Sequence, residues 1–397
     1  MQPELLYLVS PAGNPNFGDE FIAASWLKYL SATRPEADVW LDCPQPGLAQ
    51  VLFDGMHPRL RITNTLWRLT HDNANLPPDE SRATVRARVI GLGSPAYDLG
   101  LLKLREATSL HLLGGGYING NWEHHAALIH SMRAVQEITS APLFATGQGL
   151  MPAIASERGA QTLFEGFAHV SARDDASARA YGIDLGLDDA FLGAAETRSG
   201  ALPGLYVCIQ NDTVDAGAFD QAVQFARTRA IEARQEGTAV FYVEAIPGGD
   251  RVGFEKLSDI IPEDHFIPFS RIWSEGLPVA SDQVWLTSRF HFHLLASAAG
   301  ARGVAFAMKE GYYDVKHQSL VSLGSGWTVA GPGQEPAFPA PSGALVDKLP
   351  ALAASKRTEA AKMYLAGVDA TATSSSFRGD TSSKATFATR LRSRLAR

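Results

Sequence analysis

The chain has 397 residues, of which 45% are hydrophobic and 19% are charged, and its formal net charge is −7. This length predicts about two domains, each large enough to bury its own core. The negative charge argues against a nucleic-acid partner, which requires a basic surface. The two cysteines, Cys43 and Cys208, lie far apart and indicate free thiols in a reducing compartment.

The amino terminus indicates a cytoplasmic protein. Residues 1–4 lack the basic segment of a signal peptide, and the apolar run after them stops within about six residues, as it does in a strand. No apolar run approaches the roughly 20 residues that are needed to span a bilayer. We therefore expect the protein to be made and kept in the cytoplasm.

Short apolar runs alternate with longer amphipathic segments, which predicts parallel sheets with crossover helices. In the first half, a helix is expected over about residues 19–30, and strands are expected at residues 5–9, 110–113, 143–145 and 169–172. Residues 32–107 show no clear pattern.

A linker-like stretch near residues 195–203 separates the two halves, and the alternation then restarts. Helices are expected at residues 218–236 and about 289–300, and strands at 205–209, 239–243, 266–268, 284–287 and 304–307. We therefore predict an α/β chain with domains at residues 1–198 and 199–365 and a flexible basic tail at 366–397. Ligands of such sheets bind beyond the carboxyl ends of the strands, so the loops that follow the strands should meet in one cleft.

Residues 287–293 are the most informative segment, because a predicted buried strand turns into a helix there. Arg289 and His291 then lie near a helix N-terminus, where free N–H groups and the helix dipole favour an anion. The arginine offers a planar donor fork to a carboxylate or phosphate, and the histidine can exchange a proton near neutral pH. A structural arginine and a core histidine are the alternative. A metal pair of His291 and His293 is disfavoured, because no further ligand joins them at a suitable spacing.

Two more basic residues follow predicted strands. Arg173 ends the fourth predicted strand, and Lys316 follows the strand at residues 304–307 by one loop. Both are candidates for the cleft. The alternatives are an ion pair of Arg173 with Asp174 or Asp175, and an exposed surface position for Lys316.

Three loops with glycines complete the candidate cleft. Residues 13–20 (GNPNFGDE) resemble a phosphate loop but lack its lysine, and Asn16 and Asp19 suit sugar hydroxyls better than a phosphate. A capped tight turn is the alternative there. Gly115 and Gly116 allow the backbone to approach a ligand closely, and Gln148 lies in the third loop. The histidines after the second loop are predicted to be surface or packing residues; they are His124, His125 and His130.

In this order, the segments resemble the polysaccharide pyruvyl transferase family over about residues 4–325. Its successive elements are a G-x-x-N-x-G-D-E-like loop, a glycine loop, a G-Q-G-hydrophobic-x-P turn, an R-D-x-x-S element, a D-P-A-F-like strand, R-x-H and Y-D-x-K. They match residues 13–20, 114–116, 147–152, 173–177, 188–191, 289–291 and 313–316. Three departures are Asp189 in place of the usual proline, the unmatched stretch at 32–107, and the tail after about residue 340.

The resemblance implies two facing Rossmann-like domains, similar to the GT-B architecture, and transfer of pyruvate from phosphoenolpyruvate to a sugar, usually as a cyclic ketal. The donor carries a charge of about −2.5 to −3 near neutral pH, which Arg173, Arg289 and Lys316 would offset. His291 is expected to act as the general acid, with Arg289 beside it. The acceptor side and the cleft loops are expected to comprise Asn16, Asp19, Gly115, Gly116 and Gln148. No metal or redox cofactor is expected.

Two other functions remain compatible with the sequence. A GT-B glycosyltransferase would use a nucleotide sugar, but no acidic residue of the second domain is placed to hold a ribose. A non-catalytic glycan-binding protein could have the same fold, although the basic residues at the motif positions argue against it. The acceptor itself, whether a glycan, a lipid-linked sugar or a nucleotide-linked sugar, stays open.

The carboxyl-terminal segment at residues 373–397 is basic, with six arginines and lysines against Asp380 alone. Phe387, Leu391 and Leu395 would share one face of a helix there. Such a segment would suit peripheral contact with an anionic inner membrane leaflet. A disordered tail with no membrane role is the alternative.

Overall fold

The structure is a computed structural model that describes residues 4–155, 162–195, 201–338 and 343–364. Its first half contains β1 (Leu5–Val9), β2 (Asp38–Asp42), β3 (Leu60–Thr63), β4 (Ser109–Leu112), β5 (Leu143–Gln148), β6 (His169–Ala172) and β7 (Asp184–Leu185). The helices of this half are α1 (Phe17–Thr33), α2 (Pro46–Leu52), α3 (Thr65–Asp72), α4 (Pro78–Gly91), α5 (Asp98–Leu104), α6 (Ala126–Thr139) and α7 (Asp175–Tyr181). Together they form a seven-stranded parallel sheet in the order β3-β2-β1-β4-β5-β6-β7, with its helices.

The second half contains β8 (Gly204–Cys208), β9 (Val240–Val243), β10 (Phe266–Ile267), β11 (Gln283–Thr287), β12 (Arg302–Phe306) and β13 (Thr328–Ala330). Its helices are α8 (Ala218–Gln235), α9 (Arg251–Glu255), α10 (Phe269–Glu275), α11 (Phe290–Ala298), α12 (Tyr313–Leu323) and α13 (Leu345–Tyr364). The six strands form a second parallel sheet in the order β10-β9-β8-β11-β12-β13. The predicted fold class, two α/β domains with parallel sheets, is thereby confirmed.

The central strands are continuous apolar runs because helices cover both faces of each sheet. All five residues of β1 (LLYLV) are buried, and so are all five of β8 (GLYVC). Strand order reverses between β1 and β4 in the first sheet and between β8 and β11 in the second. Ligands of doubly wound sheets bind at these switch points, so the loops after these four strands are the natural lining of a site.

The predicted strand at residues 188–191 is wrong. Asp189–Leu192 is a single turn of 3-10 helix, and the carboxylate of Asp188 accepts a hydrogen bond from the backbone N–H of Ala190 at 2.8 Å. An aspartate that binds the backbone two residues ahead favours a turn over a strand. The unreadable stretch at residues 32–107 folds into two strands and four helices, β2, β3 and α2 to α5.

Helix α13 follows the second sheet in the chain but packs against the first. Within it, Lys356 is fully buried and lies 2.5 Å from Asp189, while Glu359 accepts hydrogen bonds from His169 and Ser171.

The predicted domain division near residue 198 and the basic tail at 366–397 fall outside the described residues. Among the helices of the described ranges, none is long and apolar enough to cross a membrane.

Candidate active site

A cavity of about 540 Å³ is lined by the loops at the carboxyl ends of both sheets. From the first half come residues 14–19 after β1, Gly116 after β4 and Arg173 after β6. From the second half come Asp212 after β8, residues 289–292 after β11 and Lys316 in α12. The loops after β1, β4, β6, β8 and β11 therefore meet in one cleft, whereas Gly115 and the predicted cleft loop at residues 147–152 do not line this cavity.

Gly116 is the point at which two predicted donor-binding cations come together. A Cβ atom at this position would lie 2.7 Å from Nζ of Lys316 and 3.0 Å from a guanidinium nitrogen of Arg173. The absence of a side chain thus lets two cations from different halves of the chain approach the backbone of one loop. Gly115 beside it has a φ of +149° and pairs with Gln148, which fixes the path of the loop.

Arg173 is buried, and its partner is not one that the sequence suggested. Its guanidinium donates to the carboxylate of Asp188 at 2.7 Å and lies 4.4 Å from the ring centroid of Phe290. Asp174 instead caps α7 by accepting from the N–H of Ser177, and Asp175 pairs with Arg179. The alternative of an ion pair of Arg173 with Asp174 or Asp175 is therefore wrong.

Lys316 is also buried, and its ammonium lies 3.3 Å from the ring centroid of Tyr312. Burial and the nearby charge of Arg173 hold its pKa well below the ordinary value, although Asp19, Asp174 and Asp188 act in the opposite direction. Within the described ranges, no carboxylate lies within ion-pair distance of it. An anionic ligand at Gly116 would supply the missing countercharge.

His291 reaches across the cleft from α11 to the first half of the chain. Its Nε2 lies 3.4 Å from Oδ1 of Asp188, and a side chain at Gly18 would overlap its ring. Burial alone would raise the pKa of Asp188, but the charges of His291 and Arg173 hold it well below its usual range. Asp188 is therefore an ionised carboxylate shared by the predicted acid and a predicted donor-binding cation.

The loop at the start of α1 presents Asp19 to the same place. The amide of Asn16 donates to its carboxylate at 2.8 Å and, with its oxygen, caps the helix at Gly18. Burial raises the pKa of Asp19, against the lowering effect of His291 and the two cations. Glu20 points away, because its carboxylate accepts from the N–H of Gly13 at 2.8 Å.

Arg289 lies at the edge of the cleft, and two carboxylates already offset its charge. It donates to the buried Asp250 and, at 2.7 Å, to the half-exposed Asp212. Although burial alone would lower the pKa of Arg289, these two carboxylates raise it above its ordinary value. Arg173 and Arg289 thus both have carboxylate partners.

Two predicted positions have largely structural surroundings. The side-chain amide of Gln148 is buried and donates to the carbonyls of Leu112, Leu113 and Thr146, so it holds the end of β4. His293 is fully buried against His317 and Ser325 and lies away from His291.

One side of the cleft is an aromatic wall that the sequence analysis did not identify. It comprises Trp67, His71, Trp122, His124 and His125. His125 packs between the two tryptophans, as the packing interpretation predicted, but His71, His124 and His125 also line the cleft. The available signal was the spacing of Trp67 and His71, four residues apart on one helix face, in a stretch with no clear pattern.

The chain was compared with known proteins in sequence and in structure, and no curated protein matches it in sequence. Anabaena Alr3699/HepE, in complex with UDP and glucose, aligns over 99% of each chain with 11% identity and a TM-score of 0.45. MnaA of S. aureus with UDP aligns over 81% of this chain and 88% of its own, with 9% identity and a TM-score of 0.43. The E. coli ADP-heptose LPS heptosyltransferase II aligns over 82% and 90%, with 11% identity and a TM-score of 0.37. Similarity at this level implies no shared ligand.

The sequence motifs are more specific than these folds. They run from Asn16 in the first cleft loop, through Arg173, to Arg289 and His291 on the opposite side. A family model of polysaccharide pyruvyl transferases matches residues 16–310, a range that holds the cleft loops of both sheets as far as β12. The chain therefore belongs to the polysaccharide pyruvyl transferase family.

Proposed function

We propose that the protein transfers a pyruvyl group from phosphoenolpyruvate to a sugar and forms a pyruvate ketal. The observation that carries this proposal is the convergence of Arg173 and Lys316, from different halves of the chain, on the backbone of Gly116. His291, which can donate a proton, lies beside the same carboxylate that holds Arg173. An anion that needs protonation during its reaction fits such a site.

The donor binds with its negative charges toward Lys316 and Arg173. Phosphoenolpyruvate carries about −2.5 to −3 charges near neutral pH. Asp188 binds only one terminal nitrogen of the Arg173 guanidinium, and the other terminal nitrogen points toward Gly116. Arg173 can therefore still donate hydrogen bonds to the donor. Arg289 contributes less, because Asp250 and Asp212 already offset its charge.

His291 protonates C3 of the enol, which leaves C2 as an oxocarbenium-like centre. A sugar hydroxyl attacks C2 and passes its proton back to His291. The C2–O bond to phosphate then breaks, and a second hydroxyl closes the ketal ring as its proton leaves with the phosphate. The products are the ketal and inorganic phosphate, so the atoms balance without a redox step. The fixed cations stabilise the departing phosphate, and Asp188 orients the ring of His291.

The acceptor sugar binds toward Asp19 and the aromatic wall. A cavity of about 540 Å³ is larger than a three-carbon donor and leaves space on that side. The apolar faces of sugars pack on aromatic rings such as that of the half-exposed Trp122, and carboxylate and amide oxygens accept bonds from hydroxyls. The proposed acceptor classes remain a glycan, a lipid-linked sugar and a nucleotide-linked sugar.

Phosphate release from phosphoenolpyruvate, measured with a panel of sugars, tests the proposal. Release that depends on both the donor and one sugar class is expected, together with a product heavier than the sugar by one pyruvyl group. Transfer from a nucleotide sugar with no use of phosphoenolpyruvate would favour a glycosyltransferase. Binding of glycans with no turnover of either donor would favour a glycan-binding protein.

A further inference from the structure

Three histidines of the aromatic wall form a cluster that the pyruvyl-transfer chemistry does not use. His71 lies in the last turn of α3, while His124 and His125 lie in the 3-10 turn Glu123–His125 that precedes α6. One ring nitrogen from each of the three comes within 4.8 Å of the others. All three side chains line the same cleft as the cationic site.

The hydrogen bonding of His125 leaves one nitrogen available as a ligand. Its Nδ1 lies 2.8 Å from the carbonyl oxygen of Tyr117, so Nδ1 carries the proton and donates it. Nε2 then keeps a free lone pair. A backbone carbonyl that fixes the tautomer in this way is the usual second contact of a metal-binding histidine. The rings of Trp67 and Trp122 further hold the orientation of His125.

The other two histidines keep their nitrogens free as well. Within the described part of the chain, neither His71 nor His124 has a hydrogen-bond partner for its ring nitrogens. A neutral imidazole with a free ring nitrogen is the form that binds metals.

We propose that His71, His124 and His125 bind a divalent transition-metal ion of the zinc type. Three imidazoles form a ligand set that suits zinc, nickel and copper and disfavours magnesium and calcium, which prefer oxygen. Three protein ligands leave a fourth position open, and here that position faces the cleft. The site is separate from the cationic cluster at Gly116 and does not depend on the identity of the donor.

Binding requires only a small contraction of the cluster. Nitrogens that share a tetrahedral zinc lie about 3.4 Å apart, given a zinc–nitrogen distance of about 2.0–2.1 Å. His71 is exposed at the end of its helix and His124 is half-buried, so these two rings can turn toward the fixed His125. The sequence pattern predicted packing or surface roles for His124 and His125 and gave no indication of His71.

Equilibrium dialysis of the tag-free, full-length protein against zinc, after removal of bound metal with a chelator, tests the site. About one tightly bound zinc per chain is expected in the wild type. His71→Ala and His124→Ala should each weaken zinc binding at least tenfold. Both positions are at least partly exposed, so these variants should fold, and circular dichroism verifies it. Cobalt in place of zinc should give the visible absorption of a tetrahedral site that is lost in both variants.

His130→Ala is the matched control, because it removes an imidazole from α6 close to the cluster but outside it. It should bind zinc like the wild type. The proposal is overturned if the wild type binds no stoichiometric zinc, or if His71→Ala and His124→Ala bind it as tightly as His130→Ala. Equal binding of magnesium and zinc would also overturn it, because three imidazoles cannot produce that result.

Discussion

Nε2 of His291 lies 3.4 Å from Oδ1 of Asp188, although the two residues come from different α/β halves of the chain. The other oxygen of the same carboxylate holds Arg173 at 2.7 Å. One aspartate thus positions both the proposed acid and a proposed donor-binding cation. The contact between the two halves assembles this arrangement, so neither half contains it alone.

His291→Gln should lower turnover by roughly 10²–10⁴-fold, because glutamine keeps a polar side chain of similar length but cannot donate a proton as an acid. Donor binding should change much less. Phosphate release and donor titration, made on a variant whose melting temperature matches the wild type, measure both effects.

Near-normal turnover of that variant would mean that another residue is the general acid. Asp19 would be the next to test, because burial raises its pKa and it lies beside His291 and both cations. His293 would not, since it is fully buried between His317 and Ser325.

Asp188→Asn separates a positioning role from a merely structural one. The amide keeps the shape but removes the charge that faces His291, so kcat should fall about tenfold or more. The charge of Arg173 would then be less compensated, so the affinity for the anionic donor should stay the same or rise. A parallel loss of kcat and donor affinity would mean that Asp188 only supports the fold.

Donor binding should be linked to proton uptake at Lys316. Burial and Arg173 hold its pKa well below the ordinary value in the free protein, and a bound anion raises it. Within the pH window between the two pKa values of Lys316 the complex therefore takes up a proton, and donor affinity should fall as the pH rises through that window. Calorimetry in buffers of different ionisation enthalpy measures the number of protons.

Lys316→Met should remove this uptake and weaken donor binding by about 1.5–3 kcal/mol. Lys309→Met is the control, because Lys309 donates to Asn121 at 2.9 Å and is not one of the two cations at Gly116. The idea fails if the wild type takes up no proton, or if Lys316→Met takes up as many as Lys309→Met does.

Gly116→Ala should impair donor binding without unfolding the protein. The new methyl group would lie 2.7 Å from Nζ of Lys316 and 3.0 Å from Arg173, and the ends of both flexible side chains can move aside. Displacement of the two cations should weaken donor binding at least tenfold, equivalent to about 1.4 kcal/mol. Gly47→Ala, in open space in α2, is the control and should leave binding unchanged. Equal donor affinity of the two variants would contradict the convergence at Gly116.

The sequence predicted the parts of the fold in which the local pattern and the final environment agree. Strands such as β1 and β8 are buried on both faces, so they are unbroken apolar runs and are readable. β3 has no fully buried residue, which explains why its stretch of the chain showed no pattern. The motifs located the cleft loops, because each follows a strand.

The carboxylate partners could not be predicted, because they lie far away in sequence. Asp188 is 103 residues from His291, and Asp250 is 39 residues from Arg289. Asp189 was noted only as a departure from the family pattern. In the folded chain its carboxylate accepts from Trp26, Gly114 and Thr146 and faces Lys356, a lysine that any helical pattern would have assigned to the surface.

The last prediction concerns the attachment of α13 to the first sheet. Lys356, with no exposed side-chain surface, lies 2.5 Å from Asp189 and 2.6 Å from Glu359. Lys356→Met would leave the buried carboxylate of Asp189 and the half-buried carboxylate of Glu359 without their cation, and should lower the free energy of unfolding by about 3–5 kcal/mol.

The same contacts make part of the stability acid-sensitive. Burial alone would raise the pKa of Glu359, but hydrogen bonds and charge from His169, Lys356 and Ser171 lower it from 4.5 to about 2. A carboxyl group whose pKa is lower in the folded state stabilises the fold fully above its unfolded pKa. That contribution should therefore be lost as the pH falls from about 4.5 toward about 2.

Glu359→Gln should be less stable than the wild type at neutral pH and should lose less stability on acidification, as measured by urea unfolding across this range. Glu137→Gln is the control, because the pair of Glu137 with Arg86 is exposed and screened by solvent, so it contributes little to stability. An acid profile of Glu359→Gln that parallels that of Glu137→Gln would show that α13 is not held through this carboxylate.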